Sequence, residues 1–219
     1  MAPNAESTRH QLIDAAEALF AARGIDSVSL REINAAAGQR NCTALQYHFT
    51  NRIGLLTAVL QRHQVDVEDA RHALLDAYET RGRDDPRALA GALVRPSAAK
   101  LADASGRAYL QIHAQIVNHA DFRNPLNPRD SLYRWRQLVG PLLSDVAERR
   151  LNHRFSAIRL TAVELARRAT AVPRRDDGLF TSHLVDLVTA VLDAPVSSET
   201  ARLLADHATA ARPRRIVAS

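Results

Sequence analysis

The chain has 219 residues, 46% of them hydrophobic, enough for one large domain or two small ones with a real core. Its formal charge is +5, and all its basic residues but Lys100 are arginine, which hints at a polyanionic partner. Yet over the first 60 residues Arg9, Arg23, Arg31, Arg40 and Arg52 are balanced by Glu6, Asp14, Glu17, Asp26 and Glu32, so a nucleic-acid contact there depends on local placement.

The single cysteine, Cys42, excludes an intrachain disulfide and a cysteine-based metal cluster. The N-terminus, MAPNAESTRHQ, has no apolar core of signal-peptide length, and no stretch approaches the roughly 18 uncharged apolar residues of a membrane span. The expectation is a protein of the reducing cytoplasm with no membrane partner. Glycine and proline are scarce, alanine and leucine abundant, and period-two apolar runs absent, so the predicted fold class is all-α.

In chain order, Leu12, Ala16, Leu19 and Phe20 form one apolar stripe over Thr8–Ala22, a helix closed by Gly24. Ser29 and Glu32 fit a capping box that opens a two-turn helix carrying Leu30, Ile33 and Ala37 and ending at Gly38. A third short helix over 42–48, with Asn41 as N-cap, places Cys42, Leu45 and Phe49 on one edge. A long helix then runs from Asn51 to Tyr78, with Leu55, Leu56, Val59, Leu60, Val65 and Val67 facing inward. Asp85-Pro86 opens another, which Pro96 should kink or end. Later helices are expected over 106–119, 131–149, 152–170, 178–193 and 197–210, with 121–130 a loop. The predicted division is 8–64 and 65–212.

Two short helices joined by a glycine-containing turn are the layout of a helix-turn-helix, whose second helix enters the DNA major groove. That helix needs a narrow apolar edge toward the protein, here Leu45 and Phe49, and short or hydrogen-bonding side chains outward. Thr43, Ala44 and Gln46 meet the second demand. Gln46 can read adenine, and Ala44 or the Thr43 methyl can meet a thymine methyl. Tyr47, His48 and Arg52 suit phosphates, as do the backbone N–H groups near Ser29 and Asn41, while Arg40 suits either base or phosphate. Cys42, two residues after Arg40, is a candidate redox-sensitive thiol.

Residues 12–60 resemble the N-terminal DNA-binding domain of the TetR family of bacterial transcriptional regulators. The resemblance is carried by Ala16, Leu19, Phe20 and Gly24, by the run Ser29–Gly38, and by the ending Leu45-Gln46-Tyr47-His48-Phe49 with a polar cap and a leucine pair behind it. Two departures stand out: the turn Gln39-Arg40-Asn41 is one residue longer than the family's, and Gln46 occupies the place of a phosphate-contacting tyrosine. The resemblance implies a repressor that binds a palindromic operator as a homodimer, paired through the helices near 152–170 and 178–193. It also implies release by a small molecule held in the larger helical domain. A regulator controlled by a protein partner, or constitutive, is the alternative.

For a small-molecule effector, Tyr109, His113 and Asn118 can orient a ligand, and Phe122 and Trp135 can supply flat contact. No cofactor or metal is expected: His113 and His119 are six apart and no H-E-x-x-H occurs. Nor is an enzyme, since the chain shows no Ser-His-acid set, no phosphate-cradling glycine loop and no paired carboxylates.

Overall fold

The computed structural model describes residues 5–39, 43–81, 85–118, 129–144, 152–171 and 176–210. Every regular element among them is helical. Helix α1, Ala5–Arg23, ends where Gly24 turns left-handed at φ +88° and its N–H returns to Phe20 O at 2.9 Å. Helix α2, Leu30–Ala36, begins with both halves of the Ser29/Glu32 capping box formed. Helix α3 spans Thr43–Phe49, and the 30-residue α4 spans Arg52–Arg81 after Asn51, whose side-chain oxygen accepts the Gly54 N–H at 2.9 Å.

Helix α5, Pro86–Ala98, starts with Asp85 accepting the Ala88 N–H at 3.1 Å. Pro96 does not stop it. The ring's face of the helix is buried along with Leu93, Val94, Ser97 and Ala98, and this packing carries the helix two residues further before it tightens into a 3-10 turn, Ala99–Ala102. Helix α6 is Ala104–Asn118. Helix α7, Ser131–Val139, is shorter than the pattern suggested. Gly140 and Pro141 draw the chain into a 3-10 turn, and Leu143 is extended. Helices α8, His153–Thr170, α9, Asp177–Leu192, and α10, Ser198–Ala210, follow.

Two apolar cores organise these helices. The first joins Leu12, Ala16, Phe20, Ile33, Leu45, Leu55 and Val59, and one residue from far along the chain, Ile112 of α6. The second joins Leu75, Leu89, Val94, Leu110, Trp135, Leu165, Leu184 and Val188. Each fully buried leucine or phenylalanine contributes about 1.5–3 kcal/mol relative to exposure. Helix α4 serves both cores, with Leu55, Leu56 and Val59 in the first and Val67 and Leu75 in the second. Val65, expected inward, is 62% exposed: it lies about 200° around the helix from both His63 and Val67, which are buried.

Polar groups reinforce the junction. Gln115 of α6 accepts the Ile25 N–H at 2.9 Å and donates to Phe20 O at 3.4 Å. Buried Glu17 holds His63 Nε2 at 2.7 Å with one oxygen and accepts the Ser105 hydroxyl with the other.

Candidate nucleic-acid interface

Helix α3 is docked along a single edge. Leu45 and Phe49 are 1% and 6% exposed within the first core, while Tyr47, on another face, is 83% exposed. His48 is half-buried, its ring edge-on to Tyr47 at 5.1 Å and tilted against Phe49 at 6.1 Å. The Arg9 guanidinium of α1 sits 5.4 Å over the Phe49 ring, adding a cation–π contact to the docked edge. Behind the helix, a Cβ on Gly54 would stand 2.2 Å from the Phe49 carbonyl oxygen, so α3 and α4 approach each other at a spacing only glycine permits.

The turn before α3 is anchored at its first residue. The Gln39 N–H bonds to Asn34 O at 2.9 Å, and its side-chain amide donates to Gln11 of α1 at 3.0 Å. Arg40, Asn41 and Cys42 lie outside the described residues, as do the side chains of Thr43, Ala44 and Gln46.

At the start of α2, Ser29 is already engaged. Its N–H and hydroxyl both go to Glu32 Oε2, at 2.8 and 2.7 Å, and its hydroxyl oxygen accepts the Glu32 N–H at 3.2 Å. These bonds, with Arg23 Nη1 at 2.7 Å from Oε1, hold the Glu32 carboxyl down at about 2. The N–H groups this helix end can turn toward a phosphate are therefore those of Leu30 and Arg31, not Ser29.

Arg52 also departs from its expected place. Both ends of its guanidinium point into the protein, Nη1 donating to Ile25 O and Nη2 to Val28 O, so it ties α4 to the connection between α1 and α2. The reason is geometric: a residue in the first turn of α4 sits beside two carbonyls that the turn after Gly24 leaves without helical partners.

The candidate ligand groups are dispersed. Trp135 is fully buried in the second core and its indole N–H donates to Leu89 O at 2.8 Å. Tyr109 is 2% exposed, its ring between His63, 4.9 Å away, and His113, 5.6 Å away. Burial pushes the Tyr109 hydroxyl up to about 12 and lowers His113 to about 4. Asn118 lies apart from them, exposed, donating to Ala114 O at 2.8 Å and accepting from Arg159 Nε at 3.1 Å. It borders an open surface groove of about 470 Å³ shared with Ala21, Gln111, Gln115 and Arg167. Phe122 lies outside the described residues. Among the described residues no cluster of metal-ligating side chains occurs, and no helix is long and apolar enough to cross a membrane.

Residues 12–59 match the family model described as bacterial regulatory proteins, tetR family. The fold is shared with the crystal structure of Mycobacterium smegmatis AmtR, 20% identical, covering 94% of this chain and 95% of that one with a TM-score of 0.52. Also similar are a gamma-butyrolactone receptor described as an ArpA-like protein (23% identity, 84% and 97% coverage, TM-score 0.48) and RolR in complex with resorcinol (20%, 90% and 99%, 0.43). No curated protein matches the chain.

Proposed function

We propose that this chain is a TetR-family transcriptional regulator, a reading supported by the family match over residues 12–59, and that it binds a two-fold operator as a homodimer, through α3 in the major groove, and releases it when a small molecule occupies the larger helical body. The observation that carries the reading is the seating of α3. Its inner edge is closed by Leu45 and Phe49 while Tyr47 stands almost wholly in solvent, and the capping-box helix α2 lies before it. A helix held this way can present its remaining side chains to a groove about 12 Å wide.

Pairing is supported by apolar side chains that the single chain leaves uncovered on α8 and α9. Phe155 and Val163 are 38% and 43% exposed, and Leu179 and Leu187 are 73% and 41% exposed. On each helix the two are spaced by eight, about 80° apart on one side; Phe155 and Val163 turn away from buried Ala157, Thr161 and Leu165, while Leu179 lies across α9 from Val188 and Leu187 borders the buried set beside Leu184. Two copies meeting through these faces form an isologous contact, which matches an operator with two-fold symmetry.

The test is selection from random duplex DNA at moderate salt. Recovery of a palindrome, with affinity that falls as salt rises, is the expected result. Failure to enrich any two-fold sequence across repeated rounds defeats the regulator reading.

A further inference from the structure

Arg71, on the part of α4 that enters the second core, is 6% exposed. A guanidinium cannot shed its charge by losing a proton, so burying one is costly unless an anion and hydrogen-bond acceptors surround it. Both of its hydrogen bonds to described residues leave from Nη1, to Ser131 Oγ at 2.8 Å and to Glu68 Oε1 at 3.2 Å. Nε is buried without a partner among the described residues. The edge made by Nε and Nη2, which meets a carboxylate through two parallel bonds, is therefore unused among the described residues.

Glu68 does not complete the compensation. Its second oxygen accepts the Ser131 N–H at 2.6 Å, and its side chain is 32% exposed, where water screens its charge. Burial outweighs it, and the Arg71 pKa is lowered. The field of Arg71 reaches Tyr109 and His113 on α6, whose rings lie 5.6 Å apart and tilted by 30°. Both are neutral at neutral pH, and neither makes a hydrogen bond to a described residue.

We propose that Arg71 is the anion-recognising residue of the effector site, pairing side-on through Nε and Nη2 with a small carboxylate, beside the neutral hydrogen-bonding groups of Tyr109 and His113. The inference rests on reading the larger helical body as a small-molecule receptor. It names the class of effector. Arg71 brings one positive charge, partly met by Glu68, and neither neighbour adds another, which suits a monoanion and not a phosphate dianion.

The test uses the full chain and three acids with their amides: acetate and acetamide, benzoate and benzamide, octanoate and octanamide, at constant ionic strength. Trp135 is the only tryptophan and stands one turn beyond Ser131 on α7, so its fluorescence reports on the site alongside the thermal midpoint. At least one acid saturably shifts both readouts and binds about tenfold or more tighter than its amide. Arg71→Lys, which keeps the charge and loses the fork, weakens that acid by about tenfold, and Tyr109→Phe by a smaller factor. The proposal is overturned if no acid outperforms its amide, or if Arg71→Lys binds the acid as wild type does. Should Arg71→Lys not fold, the acid–amide contrast in the wild type and its reduction in Tyr109→Phe still decide the matter. Duplex selection with no acid response defeats this inference alone, and an acid response with no duplex selection defeats the regulator reading alone.

Discussion

Replacing Arg52 by alanine separates two roles that its position allows. Its guanidinium donates to the Ile25 and Val28 carbonyls, bridging 24 and 27 residues of sequence at the base of the helix-turn-helix. A hydrogen bond from a charged donor contributes about 1.5–3 kcal/mol. The side chain is half-buried, so water replaces part of each bond, and the lower end applies to both. Arg52→Ala should then lose about 3 kcal/mol, read as a lower urea midpoint by far-UV circular dichroism at fixed protein concentration. Arg52→Lys, whose single ammonium cannot span both carbonyls, should fall between. If Arg52 instead holds a phosphate, Arg52→Ala leaves stability within about 0.5 kcal/mol of wild type and reduces the slope of log affinity against log salt by about 1 on random duplexes. That second pattern would refute the assignment to Ile25 and Val28.

Gln46→Ala should cost about 1–3 kcal/mol on the selected duplex and relax preference at one base position; equal loss on random DNA removes its base-reading role. Gly54→Ala places a Cβ 2.2 Å from the Phe49 carbonyl, so α3 must shift on α4. It should lower both the melting midpoint and sequence discrimination, and wild-type values in both would contradict the close approach. Leu179→Glu and Leu187→Glu should convert dimer to monomer in native mass spectrometry, since both side chains lie on the face assigned to pairing. His113 has a folded pKa of about 4 against 6.5 for the free group, so the unfolded chain binds more protons between those values. Its contribution is complete above pH 6.5 and lost as pH falls toward 4, on the order of 3 kcal/mol, and His113→Asn should flatten the stability profile in that window.

What the sequence made legible follows the range of the interaction. The Ser29/Glu32 capping box is a four-residue affair, decided by side chains that can reach only their own helix end, and it is formed as read. The apolar edge of α3 is equally local, because Leu45 and Phe49 share a face by helical period alone. The surroundings of Trp135 are set at long range instead. Whether an aromatic residue on an amphipathic helix lines a cavity or fills a core depends on the partner that meets it, here the Leu89 carbonyl on α5. Arg52 and Arg71 were illegible in the same sense. Chemistry alone offers Arg52 to a phosphate and marks nothing at Arg71, and only the tertiary arrangement shows one bound to distant carbonyls and the other buried against Ser131. Pro96 marks a third limit, where a local breaking tendency is overridden by burial of the residues around it.

The bond from Ile25 to Gln115, together with Ile112 in the first core, bears on how such a protein can be cut and recombined. The reading head does not carry all of its own interior: one buried apolar side chain, and the acceptor for a backbone N–H beyond α1, are lent by α6 some ninety positions later. A chimera that transplants residues 5–64 onto another receptor will leave a hole at Ile112 and an unmet donor at Ile25 unless the host helix supplies equivalents. In engineering terms, the transferable module is the head plus the matching strip of α6, and the two halves evolve under a shared constraint at that seam.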